Sequence, residues 1–394
     1  MGNFERAVLI KYGEVALRKK NRGIYEKILL DAIAKNLRIC GEFEIIKEQG
    51  RFLVTSADPA ARWDLAEENI SRVFGIAGVS PCLCMRDKSF ETVKQAALAY
   101  VRGLFPARPF TFKVESMRSD KRYPRGSYEI SSDLGEYILN EMKNAEVNVH
   151  TPDLILRVEI RTKAYVYSKT NKGGGGLPPS SSGKAVLLLS GGFDSPVAGY
   201  LAAKRGMALT AVYFHSPPYT SERAKEKVKD LAERLSYFCG KVKLAVVPFT
   251  ETQLLLKDHT PPEKMTILLK RAMLKISESI AEKEGALVLV TGDSVGQVAS
   301  QTLRSIVTTS AAVKMPIIRP LACFDKQEIM DLAKKIGTHD ISARPYEDCC
   351  TIFVADHPET KPKTSIIESI EGHVKDLPEC MNRAVENTEY FEYD

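Results

Sequence analysis

The sequence predicts an α/β protein in which a doubly wound parallel sheet follows a smaller α+β half. Three observations carry this. Between Lys169 and Gly183 lies a seam of four consecutive glycines, two prolines and three serines, a composition that neither helix nor strand survives. After the seam, strand-length apolar runs alternate regularly with amphipathic helices; before it, short strands and helices mix without that order. The 394 residues suit two or three domains, and 44% hydrophobic with 27% charged residues excludes disordered and collagen-like chains.

In chain order, residues 7–11 read as a strand, 22–36 as a helix, and 43–46 with 52–55 as a hairpin around the Gly50 turn. Residues 61–73 and 91–102 are helical, 110–115 alternate as a strand, and 128–144 are again helical. Residues 154–160 place Leu154, Leu156, Val158 and Ile160 on one face, and 164–167 can return beside them. Beyond the seam, 185–189 is an uninterrupted apolar run, as a strand buried on both faces requires. Helix 195–204, strand 209–214, helix 222–238, strand 242–247, helix 264–283 and strand 287–290 repeat the unit. Ligands of such sheets sit beyond the carboxyl ends of the strands, so the loops after 189, 214 and 290 are where chemistry is expected.

No apolar stretch is long enough to span a membrane, and the start MGNFERAVLI has neither a secretory nor a myristoylation pattern, so a cytoplasmic chain without membrane contact is expected. Eight scattered cysteines without a CxxC pair exclude a disulfide scaffold and argue against structural zinc. Most thiols should be small core hydrophobes. Residues 1–180 carry 29 Lys and Arg against 22 Asp and Glu, whereas the remainder carries 27 against 28. The basic excess therefore lies in the first half, where a polyanion would be held.

The loop after the first strand of the second half reads Ser190-Gly191-Gly192-Phe193-Asp194-Ser195, with Pro196 suited to the start of a helix. Its glycines let backbone approach an anion, and the helix amides that follow point at it. It is neither a Walker loop nor a dinucleotide fingerprint. SGGFDS resembles the pyrophosphate loop of the PP-loop ATP pyrophosphatases, and LPPSSSGKAVLLLSGGFDSPVAGYLAAKRG is similar to the matching segment of the tRNA 4-thiouridine synthetase (tRNA sulfurtransferase) family. GDSVGQVASQTL at 292–303 and KYGEVALRKKNR at 11–22 agree.

The resemblance implies a ferredoxin-like domain at 1–60, a THUMP RNA-binding domain at 61–170, a linker at 171–183 and a PP-loop domain at 184–394. For ATP it implies contacts from Leu188, Leu189, Ser190, Gly191, Gly192, Asp194 and Ser195, with Tyr213 and Phe214 beside the adenine. Lys270 and Arg271 would reach the phosphates, and Gly292 and Gln301 belong to the third loop. Mg²⁺ would sit on Asp194 or Asp293, although the family usually has Glu at the latter position. The basic stretch around Arg118, Lys121, Arg122 and Arg125 suits RNA phosphates, and TPDLILRVEIRTKAYVYSKT at 151–170 resembles the end of a THUMP domain.

The implied reaction is sulfur transfer to a tRNA uridine at position eight, with Asp194 and a reactive Cys349 in the segment PYEDCCTI as its catalytic residues. This reading matches a short form without the rhodanese-like domain of some members, so a separate cysteine desulfurase or rhodanese is expected to deliver the persulfide, with Cys350, Cys323 or Cys380 as a second thiol or an iron–sulfur site as the lesser option. A sulfur carrier protein for thiamine thiazole synthesis is a further implied partner, and family members are often homodimers. An amide- or lysidine-forming ligase, or a non-catalytic RNA-binding protein, is the alternative.

Overall fold

The computed structural model describes residues 4–346, 355 and 357–394. They form two compact units, Met1–Gly176 and Leu177–Asp394.

The first unit runs β1 (Glu5–Tyr12), α1 (Arg22–Leu37), β2 (Glu44–Glu48), β3 (Arg51–Thr55), α2 (Trp63–Arg72) and β4 (Ile76–Met85). It continues through α3 (Phe90–Leu104), β5 (Phe110–Arg118), α4 (Ser127–Glu141), β6 (Ala145–Val147), β7 (Leu154–Ile160), β8 (Ala164–Tyr167) and β9 (Asn171–Lys172). One sheet of order β2-β3-β1-β4-β8-β7-β5-β6 joins them, with β9 added to β4. Val79 of β4 packs in the core under α1 and α2, and Met85 of the same strand in the core under α3 and α4. Both residues point to one face, since they are an even number apart. All four helices therefore cover the same side of the sheet.

Two expectations change here. The core that holds Val8 and Leu29 also holds Ala66, Ile70 and Ile76, so the expected division at residue 60 falls inside one packing group. The expected linker also begins as packed structure. A Cβ on Gly173 would stand 2.3 Å from the Ile76 carbonyl oxygen, and one on Gly174 2.9 Å from that of Arg72. These glycines serve close backbone approach rather than looseness.

The second unit runs β10 (Lys184–Leu188), α5 (Asp194–Lys204), β11 (Ala208–His215), α6 (Glu222–Cys239), β12 (Val242–Pro248), α7 (Thr250–His259), α8 (Met265–Glu284) and β13 (Val288–Val290). Then follow α9 (Leu303–Ser310), β14 (Ile317–Ile318), α10 (Lys326–Ile336), α11 (His339–Ser342), α12 (Thr364–His373), α13 (Leu377–Glu386) and β15 (Glu389–Tyr393). The sheet order is β14-β13-β10-β11-β12-β15. Its first five strands are parallel, as expected. Val186, Val212 and Ala245 bury one face against α8, while Gly199 of α5 lies against Leu187 on the other. The C-terminal residues add β15 antiparallel to β12. Lys229 and Lys243 lie 4.4 and 4.3 Å from the rings of Phe391 and Tyr390, so cation–π contacts rather than a buried apolar face support this edge strand. No helix among the described residues is long and apolar enough to cross a membrane.

Candidate active site at the carboxyl edge of the second sheet

The loop from β10 into α5 closes on its own serines. The Ser190 N–H donates to Ser195 Oγ at 2.9 Å, and the Gly192 N–H donates to Ser190 Oγ at 3.3 Å. Among the described residues no side chain caps α5, so its first amides remain available to an anion. Gly292, after β13, packs directly on this turn: a Cβ there would stand 2.7 Å from the Ser195 nitrogen. The third loop thus buttresses the first through a missing side chain.

Above the turn opens a cleft of about 210 Å³. Leu188, Leu189, Ser190, Asp194 and Ser195 form its floor. Tyr213 and Phe214, both buried at the end of β11, join Met273 and Leu274 of α8 as an apolar end. Lys270, Gly292, Asp293 and Gln301 line the polar end. The expected residues on three separate loops and one helix are therefore brought together. Gly191 and Gly192 shape the loop without lining the cleft.

Among the expected side chains, Arg271 is the exception. It is buried, donates from Nη1 to the Thr308 carbonyl at 2.6 Å and pairs with Glu371 at 2.9 Å. One helical step of about 100° turns it from the cleft toward α9 and α12, whereas Lys270, Met273 and Leu274 share the cleft face at i, i+3 and i+4. Arg271 is a structural cation, not a phosphate ligand.

Asp293 joins a cluster. Its Oδ1 accepts from Lys270 Nζ at 3.1 Å and Gln301 Nε2 at 3.4 Å, and its Oδ2 from Thr291 Oγ1 at 2.8 Å and Arg319 Nε at 3.3 Å. Burial alone would raise its pKa, but Lys270, Thr291 and Arg319 outweigh that and hold the carboxyl below its usual range. With about four acceptor positions on a carboxylate, this one is saturated and does not fit a Mg²⁺ ligand. Asp194 accepts from Gln297 Nε2 at 3.0 Å and Lys326 Nζ at 2.8 Å, which leaves acceptor capacity on each oxygen. One carboxylate together with substrate phosphates is a usual Mg²⁺ donor set, so Asp194 fits and Asp293 does not. Gln297, Arg319 and Lys326 were not singled out in the sequence; each reaches the site only through the fold.

Residues 7–80 match the family described as the ThiI ferredoxin-like domain, 87–169 the THUMP domain, and 180–375 the thiamine biosynthesis protein (ThiI) family. A probable tRNA sulfurtransferase of Lachnoclostridium phytofermentans is 49% identical over 385 residues, covering 98% of each chain. One of Acetivibrio thermocellus is 48% identical over 386 residues, again covering 98% of each. The chain belongs to the tRNA sulfurtransferase family. A crystal structure described as a 4-thiouridine synthetase–RNA complex with bound ATP superposes with a TM-score of 0.91 at 38% identity, covering 99% of this chain and 100% of that one. A Pyrococcus horikoshii protein, PH1313, superposes at 0.64 with 25% identity, covering 84% and 99% respectively.

In this tRNA sulfurtransferase-family chain, Cys349 and Cys350 lie outside the described residues. The chain just before them is firmly anchored. Buried Lys227 of α6 donates to the carbonyls of Tyr346 at 2.7 Å and Arg344 at 3.3 Å, and Arg344 pairs with Asp230 of the same helix. Ser342 Oγ donates to the Gly192 carbonyl at 3.1 Å, which ties this segment to the phosphate loop. Of the other candidate thiols, Cys323 is exposed, while Cys380 is buried beside Thr252 and burial pushes its thiol up, away from the reactive thiolate.

Within the THUMP match, the four expected RNA-facing cations divide. Arg118 spends Nη1 on the carbonyls of Lys121 and Tyr123, at 2.9 and 3.1 Å, and so shapes the loop. Arg125 pairs with Asp133 and lies 4.2 Å over the Phe90 ring. Lys121 and Arg122 project into solvent, and the Arg122 side chain is 93% exposed with Asp120 at 3.3 Å. These two suit phosphate contacts; the other two serve the fold that presents them.

Proposed function

We propose that this chain transfers sulfur to a uridine of tRNA at the expense of ATP, giving 4-thiouridine at position eight. The observation that carries the reading is the glycine turn under a cleft with an apolar end for a base and a cationic end for phosphates. The uridine 4-oxygen attacks the α-phosphorus, and the α–β bond breaks to release pyrophosphate. The amides of α5 and the Lys270 ammonium stabilise charge on the departing group. Mg²⁺, held by Asp194 with phosphate oxygens, would neutralise that charge further. A persulfide sulfur then attacks C4, and AMP leaves with the former 4-oxygen; a second thiolate attacks the carrier sulfur, which breaks the S–S bond, leaves a disulfide on the protein side and releases 4-thiouridine. Cys349 receives the persulfide or resolves it, with the sulfur supplied by a separate desulfurase or rhodanese. Lys121 and Arg122 hold the RNA backbone in the first unit.

A second sulfur acceptor, a carrier protein for thiazole synthesis, is favoured by the description of the matching family as a thiamine biosynthesis protein. The test of the main reading is Cys349→Ser, assayed with tRNA, ATP and a persulfide donor. It should retain tRNA-dependent pyrophosphate release and lose the sulfur-for-oxygen mass change on tRNA; a variant that still thiolates removes Cys349 from the mechanism.

A further inference from the structure

We propose that Arg319 is a positioning residue for ATP: by sharing the Asp293 carboxylate, it leaves the Lys270 ammonium available to the phosphates. The inference rests on the reading that the cleft takes ATP. Arg319 does not itself line the cleft, and its side chain is only 14% exposed. It directly follows β14, whose parallel pairing with β13 sets it level with the third loop. The Thr291 N–H donates to the Ile318 carbonyl at 3.1 Å, which fixes that level. Nη2 of Arg319 donates to Ser310 Oγ of α9 at 2.8 Å, so the guanidinium is held from behind.

The division of the Asp293 carboxylate gives the argument its sign. Oδ1 meets Lys270 and Gln301, and Oδ2 meets Thr291 and Arg319; of these four partners Arg319 alone does not line the cleft. Two cations and one anion leave a net positive charge beside the phosphates. Without Arg319, Lys270 and Asp293 form a neutral pair. The ammonium must then leave a carboxylate with no other cation before it can serve a phosphate. In a partly buried cluster such a change is weakly screened. Removing the charge of Asp293 reverses it, because Lys270 then has no carboxylate to neutralise it whether or not Arg319 is present. A purely structural Arg319 gives the opposite sign: truncating both residues would harm the cleft more than truncating one.

The experiment is calorimetric titration of the full chain with ATP and Mg²⁺. Arg319→Gln should weaken binding about tenfold, and Arg319→Lys should stay within about threefold of wild type. Adding Asp293→Asn to Arg319→Gln should restore binding to within about threefold of wild type. Wild-type affinity in Arg319→Gln, or a double variant no better than the single one, overturns the proposal. A wild-type chain that does not bind ATP overturns the underlying reading of the cleft, and is distinguished by failing before any substitution.

Discussion

Gly292→Ala is the smallest change that should disable the cleft, and its effect follows from three distances. The added Cβ would stand 2.7 Å from the Ser195 nitrogen, 2.9 Å from the Asp194 carbonyl carbon and 2.9 Å from the Ser195 Cα, where ordinary contact begins at 3.4 Å. All three atoms are main chain, so no side chain can turn aside. Relief requires the phosphate turn to open by roughly 0.7 Å. Overpacking of this kind costs about 1–3 kcal/mol of stability, and displacing reacting groups by about 1 Å costs about a hundredfold in rate. The assay is tRNA-dependent pyrophosphate release, with thermal unfolding measured beside it. Gly372→Ala in α12, where nothing lies within 4 Å, is the control and should leave pyrophosphate release unchanged and not lower the unfolding temperature. Wild-type kinetics in Gly292→Ala would refute the argument that this close approach shapes the catalytic turn.

Three further outcomes are expected. Lys227→Met should slow sulfur transfer at least about tenfold while leaving tRNA-dependent pyrophosphate release within about twofold, because it unties the chain ahead of Cys349; equal loss of both steps would contradict this. Lys121→Glu combined with Arg122→Glu should weaken tRNA binding and reduce the slope of log affinity against log salt by about two, read from binding isotherms at several salt concentrations. Glu26 is buried, which alone would raise its pKa, but Lys47, Tyr12 and Arg22 together bring it down to about 2. Its folded pKa lies below the unfolded one, so its contribution, on the order of 3 kcal/mol, is present above the ordinary carboxylate value and lost as pH falls toward 2. Glu26→Gln should remove that acid-dependent part of the stability curve, and an unchanged curve would refute the assignment.

The central sheet was legible because a strand buried on both faces must be apolar throughout, as residues 185–189 are, and because a glycine turn between strand and helix has few other uses. That frame pointed to the loops after 189, 214 and 290, and the family resemblance supplied the individual cleft residues on them and on α8. Arg271 was misplaced since adjacency in sequence says nothing about helical facing; the i, i+3, i+4 phase of Lys270, Met273 and Leu274 was the available signal. Arg319, Lys326 and Lys227 had no local signature. Their partners lie 26, 132 and 119 residues away, at Asp293, Asp194 and Tyr346, and only the fold supplies those contacts. β15 was missed because its strand alternation is supported by lysines over aromatic rings instead of an apolar face. The division at residue 60 failed for a related reason: α2 joins the core of α1 without any break in composition.

The most direct measurement is the identity of the phosphorus products when tRNA, ATP and a persulfide donor meet the full chain. Pyrophosphate and AMP formed in step with 4-thiouridine are the predicted result. ADP with inorganic phosphate, or thiolated tRNA formed without pyrophosphate, would contradict cleavage between the α and β phosphates at the Ser190–Ser195 turn.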